Sequence, residues 1–368
     1  MPGRATAGAS LEQLLALAIP QMRDAQRRCP RTGPGRKPDF EDWQIATMIL
    51  CGVLKKKKSK SAQYRLLRQH AQMLRRMLDL ERLPCRSVFC DRYKRCWPLV
   101  REAIAVQGRA ALREHVADAT VAAADKSLVA ARGPVWHQRQ RRRGKVPKGL
   151  HGLDREADWG YSDYHDWVWG YAFELVVTAP AKRSGIAAFP LLASVDTASL
   201  NEQRALAQKL PRLPRSTRAL ALDKGYDADG LADAFEMRGG GSGGGSASCP
   251  RRCTPRRHYL CPPRNGRVGR CVRRGTREQK RQRRLARVTY LRGRRGRALY
   301  ARRKMTIEPF NAIFKAMFEL DEHVWHRGLD NNRMQILTAI FCYQLLVRYH
   351  RKCCGRRDAQ VQHLLDAL

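Results

Sequence analysis

Acidic residues are the scarce class in this 368-residue chain: 33 Asp and Glu stand against 72 Lys and Arg, a formal net charge of +39. An excess of that size drives a compact chain apart unless a polyanion neutralises it, which points to nucleic acid ahead of a membrane surface. Long apolar runs are missing as well. The stretch Ile45–Leu54, interrupted by Thr47 and Gly52, falls short of the ~20 residues that cross a bilayer. The run Leu11–Pro20 carries Glu12 and Gln13 and leads to no small-residue cleavage site, so it does not read as a secretory signal. These absences predict no membrane association and a cytoplasmic, nucleoid-associated location. Cysteine is not scarce, at twelve residues, but in a reducing compartment these are expected mostly as free thiols and not as a disulfide framework.

What is present supports a folded protein. Hydrophobic residues make up 43% of the chain, enough for a core. Residues 1–38 are rich in Gly, Pro and Arg and read as a basic, partly ordered arm. Residues 39–115 have helical periodicity, with Trp43, Ile45, Ile49 and Val53 on one face and a basic helix from Ala62 to Leu80. This region reads as a DNA-binding unit of helix-turn-helix type or as a packed helical cap. From residue 116 to 350 the pattern is mixed α/β: a short apolar strand ending at Asp125, a β-branched and aromatic strand through "WVWGYAFELVV", and a third through "FPLLASVD". A helix capped by Asn201 and a fourth strand, Ala219–Leu222, ending at Asp223, follow. Residues 239–299 form a basic insertion that opens with the flexible run "GGGSGGGS". Residues 351–368 are a tail.

Against this basic background three carboxylates stand out. Asp125 and Asp223 each close an apolar strand, where an α/β sheet offers its ligand-binding edge. Glu308 precedes Pro309, which predicts a helix starting near Thr306 or Ile307 with the proline in its first turn. The stripe Phe310, Ile313, Phe314 and Met317 is then buried, and Glu308 projects with Lys315 on the opposite face. Taken alone, Glu308 reads as a favourable acid at a helix start. Three acids meeting at one edge need a cation, and oxygen-only ligands suit two Mg²⁺ or Mn²⁺ ions acting on a phosphodiester.

Arg141, Arg142 and Arg143 lie in a loop with seven basic residues and read as phosphate contacts. Trp136, Trp159, Trp167 and Trp169 read as stacking surfaces or as sheet packing, with packing favoured for the last two. Cys249, Cys253, Cys261 and Cys271, with His258, can be read as a zinc site. The three-residue gap between the first two departs from the common spacing, and ordinary reduced thiols are the favoured reading.

The segments "AADKS", "LALDKGYD" and "IEPFNAIFK" resemble the three catalytic blocks of DDE transposases of bacterial insertion sequences, the group with a Tyr-Arg-Glu-Lys signature. The resemblance spans roughly residues 83–350. It implies a ribonuclease H-like catalytic domain with metal ligands Asp125, Asp223 and Glu308, cleavage of double-stranded DNA at element ends and strand transfer into target DNA. It also implies a homodimer when two ends are synapsed. Glu308 and Lys315 keep the family's spacing, and Lys315 is then a DNA contact. The arginine position of the signature is occupied by Lys304, with Arg303 and Tyr300 each one place out of register. An inactive or domesticated derivative that binds DNA without cutting it is the alternative.

Overall fold

The computed structural model describes residues 9–30, 38–146, 148–163, 166–181, 184, 186–238, 257–264, 276–355 and 361–368. Six helices lead into the sheet: α1 (Leu11–Arg28), α2 (Asp42–Leu54), α3 (Lys60–Gln69), α4 (Ala71–Leu78), α5 (Arg86–Tyr93) and α6 (Trp97–Arg113). In α1, Ser10 and Gln13 form a capping box, and Leu14, Leu15, Ala18, Met22 and Ala25 are fully buried. Within the segment expected as a partly ordered arm there is therefore a packed helix. The helix expected from Ala62 to Leu80 is divided at His70 into α3 and α4. Tyr64, Phe89 and Tyr93 pack in series, with ring centroids 6.0 and 6.2 Å apart, and the Tyr93 hydroxyl meets His326 Nε2 at 3.0 Å. These aromatics hold the helices together.

The chain is mixed α/β. Its sheet contains β1 (Val121–Ala130), β2 (Asp158–Ser162), β3 (Asp166–Thr178), β4 (Pro190–Thr197), β5 (Ala219–Ala221) and β6 (His258–Leu260). The long strand β3 pairs antiparallel with β1 along one side. Along its other side β2 covers its first part and β4 its remainder. On the far side of β1, β5 and then β6 follow in parallel. β1 continues five residues past Asp125, because Leu128 and Val129 find partners in Ala172 and Tyr171. Asp125 is thus mid-strand, where the sequence placed it at a strand end.

Alternation along β3 sets the two layers. Phe173 meets Phe314 of α11 (Arg294–Met317), while Glu174 meets Lys209 of α8 (Glu202–Lys209) on the opposite face. α9 (Asp229–Glu236) lies on the α8 side, where Phe235 packs on Tyr259. α6 and α12 (Leu329–Cys353) pack over β4. The remaining helices are α7 (Gln138–Arg142), α10 (Thr276–Arg292) and α13 (Gln362–Asp366). One continuous apolar cluster runs from α1 through the sheet to α13, so residues 39–115 form a cap sharing the sheet's core. Among the described residues, no helix is long and apolar enough to cross a membrane.

α11 departs most from expectation. It starts at Arg294 and contains Pro309 in its interior, three turns earlier than the proline led us to expect. The proline removes the N–H that would reach the Met305 carbonyl, and Met305 is exposed at 55%, so water can serve that carbonyl instead. The buried stripe is Ile307, Phe310, Phe314 and Met317, while Ile313 is half exposed. Truncating Phe314, whose ring lies 5.5 Å from Phe173 and 5.3 Å from Phe318, should cost ~3–5 kcal/mol in urea unfolding. Ile313→Ala should stay within about 0.5 kcal/mol of the parent. Equal losses would contradict this register of α11.

Candidate active site

The pairing of β1 with β5 ends at Ala123 opposite Ala221. Two residues further along each chain come Asp125 and Asp223, side by side where the parallel strands part. Asp223 is held by its own turn: Oδ1 accepts from Gly225 N at 2.6 Å, and its carbonyl accepts from Cys261 Sγ at 2.9 Å. Asp125 is on the face of β1 that meets α11.

Arg303 enters this space from α11. It lies one turn before Ile307, in line with the buried stripe, so its side chain points at the sheet and is only 12% exposed. One terminal nitrogen donates to Asp125 Oδ1 at 3.2 Å, and the other lies 3.7 Å from Glu308 Oε1. Burial pushes the Asp125 carboxyl up to about 7; Arg303 opposes the shift, and the negative charges of Asp223 and Glu202 add to it. The same two aspartates hold the Arg303 guanidinium above its ordinary value against its own burial. Tyr300, one turn before Arg303, stands half-buried beside it, its hydroxyl raised mainly by burial.

A fourth carboxylate joins them. Glu202, at the first turn of α8, pairs with Lys126 at 3.1 Å. A Cβ on Gly225 would come within 2.1 Å of Glu202 Oε2 and 2.9 Å of Asp223 Oδ1, so glycine is what lets this turn close against both acids. Tyr226 beneath them is fully buried, and its hydroxyl makes no hydrogen bond of ordinary geometry. In the sequence Glu202 follows the Asn201 cap and reads simply as part of a helix start. The signal available was its place at the start of the helix that follows β4, five residues beyond that strand's end at Thr197.

The structure therefore brings Asp125 and Asp223 together, and reaches Glu308, itself half exposed, only through the Arg303 guanidinium that lies between it and Asp125. Among the described residues, no three His, Cys, Asp or Glu side chains are spaced to hold a metal ion as they stand. The donor chemistry, oxygen only, is that of Mg²⁺ or Mn²⁺.

Other sequence assignments fare differently. Lys315 is buried and donates to the Leu128 carbonyl at 2.7 Å, so it braces α11 on β1 and does not stand at the surface beside Glu308. Lys304 is exposed. Arg142 and Arg143 are exposed, whereas Arg141 is held by Asp158 and lies 5.3 Å over the Trp169 ring. Trp169 is buried between Trp136 and Trp159, but Trp167 is 59% exposed, with its ring against Tyr161 at the hairpin, against the expectation of sheet packing. Of the cysteine cluster, Cys261 bonds Asp223, and Cys249, Cys253 and Cys271 lie outside the described residues, as does the Gly/Ser run. An open groove of about 1000 Å³ between α8 and α9 contains none of the four carboxylates.

Compared with known proteins, the chain matches no family model, no curated protein and no solved structure.

A raised carboxyl is one that folding makes harder to ionise. Its contribution to stability is full below the unfolded value near 4 and is lost as the pH rises towards about 7. Asp125→Asn removes this term, while Glu174, also pushed up to about 7 by burial, titrates in both proteins and cancels. In EDTA, the wild type should lose stability relative to Asp125→Asn between about pH 4 and pH 7 and run parallel to it above. Denaturant unfolding across that range reads the difference, and a flat difference would contradict the burial of Asp125.

Proposed function

We propose that this chain is a DDE transposase with a ribonuclease H-like catalytic domain, which nicks DNA at the ends of an insertion sequence and joins the freed 3′ end to target DNA. The observation that carries the reading is the meeting of Asp125 and Asp223 at the point where two parallel strands separate, with Glu308 tied to Asp125 through Arg303. The strand order supports it: a long antiparallel neighbour on one side of β1 and two parallel strands on the other, with the helix bearing the last acid packed across β1 and β5.

Asp125, Asp223 and Glu308 are the side chains that would hold Mg²⁺ or Mn²⁺, which would activate the attacking oxygen and stabilise the leaving one. The chain's own contribution is to fix these acids. Gly225 N orients Asp223, the sheet largely encloses Asp125, whose side chain is 17% exposed, and Lys126 neutralises Glu202 so that it does not add an uncompensated charge. Exposed Lys304, Arg142 and Arg143 would hold the double-stranded DNA through its phosphates. Two ends brought together would take a homodimer, acting on the nucleoid in the cytoplasm.

A second reading, a derivative that binds DNA without cutting it, is favoured by one observation: Arg303 already neutralises two of the three acids. Supercoiled plasmid carrying the repeats that flank the gene separates the two. With Mg²⁺ or Mn²⁺ the transposase converts it to nicked circles, and Asp223→Asn abolishes nicking while DNA retention on a filter survives. Retention without nicking by the wild type, at any divalent concentration, would favour the binding protein.

A further inference from the structure

Arg303 is largely enclosed, with 12% of its side chain exposed, yet poorly satisfied for a structural ion pair. Its two contacts go to different carboxylates, at 3.2 and 3.7 Å, and neither is the two-pronged fork that makes Arg–carboxylate pairs strong. The Tyr300 hydroxyl stands beside the guanidinium as well, but the buried Nε–H meets no acceptor in hydrogen-bonding geometry. An orphaned buried donor is a cost that a permanent resting place for this side chain would be expected to avoid. The neighbouring bases do not share its position: Lys304 is exposed, and Lys315 is bonded to Leu128.

We infer that Arg303 is a stand-in cation: in the free protein its guanidinium occupies the place of a divalent ion at Asp125 and Glu308, and on loading it yields that place and takes a phosphate of the bound DNA. This rests on the metal-dependent reading above and adds to it a coupling between cation and DNA. Two positive groups cannot share the space between Asp125 and Glu308, so the ion must displace the guanidinium. The displaced side chain is long, stays charged and lies at the same edge as the acids, with Lys304 next to it on the exposed side of α11. There a phosphate offers the paired acceptors that Asp125 and Glu308 do not. Arg303 is a positioning residue in this scheme. It makes cation entry costly without DNA and less costly with it, which disfavours a metal-loaded site in the absence of substrate.

The test is Mn²⁺ binding to the full chain, read from the electron paramagnetic resonance of free Mn²⁺, with no DNA present. Occupancy of the site by Arg303 taxes the apparent affinity, so Arg303→Ala should bind Mn²⁺ about tenfold more tightly than the wild type. Arg303→Gln, which keeps most of the side-chain volume, should do the same and serves if the alanine variant does not fold. Asp125→Asn should lose the site. In DNA binding with Mn²⁺, either arginine variant should reduce the slope of log K against log salt by about 0.9, one phosphate contact, and leave the slope without Mn²⁺ unchanged. Equal or weaker Mn²⁺ binding by a folded Arg303→Gln protein, with Asp125→Asn still losing the site, would overturn the stand-in role alone. No difference between the wild type and Asp125→Asn would bring down the metal reading as well.

Discussion

The site depends on charge compensation for a buried carboxylate. Asp125 sits mid-strand on β1 and largely enclosed, just past the point where β5 leaves it, with Asp223 and Glu202 close by, and bringing such a group of acids together is unfavourable unless positive charge comes with them. Two side chains supply it. Lys126 serves Glu202 on the α8 side of the sheet, and Arg303 serves Asp125 and Glu308 on the α11 side. Scarce acids in a very basic chain thus become a local surplus at one sheet edge. There the large excess of arginine is an asset, because one arginine in line with a helix's buried stripe is enough to balance them.

The fold exists in this form because β1 is a central strand. β3 pairs along one side of it and β5 along the other, and its alternate residues feed two opposed helical layers. Asp125 faces α11 for the same reason that Ser127 and Leu175 do, and Lys126 faces α8 because it is one residue further on. The helical cap of α1–α6 shares the apolar cluster of the sheet, so its tyrosines and phenylalanines are spent on packing. What faces solvent in quantity is arginine and lysine.

Much of this was readable from residue patterns. The β-branched run ending in Thr178, the Asn201 cap and the short strand before Asp223 leave local signals that tertiary contacts do not override. Other features were not legible because they are settled at a distance. Pro309 reads as a helix start, yet packing of Ile307 and Phe310 against the sheet extends α11 through it for three further turns. Lys315 reads as a surface base, yet the Leu128 carbonyl at the end of β1 draws it inward. Trp167 lies in an apolar run, but β2 ends near it and leaves its outer face uncovered. Register in the signature is the instructive case. Counting residues assigns the arginine's place to position 304, whereas the helix turns position 303 towards Asp125, in line with Ile307, Phe310 and Phe314, and position 304 towards solvent. Glu202 was missed because its partners arrive from β1 and from the turn after β5, far away in the chain.

The central claim is that these acids form a divalent-cation site now held by a guanidinium. Anomalous scattering from crystals of the protein grown with Mn²⁺ and a DNA duplex tests it most directly. The account predicts manganese bonded to Asp125 and Asp223, with the Arg303 guanidinium turned away from Asp125 onto a phosphate. Arg303 still seated on Asp125, with no manganese at either aspartate, would contradict it.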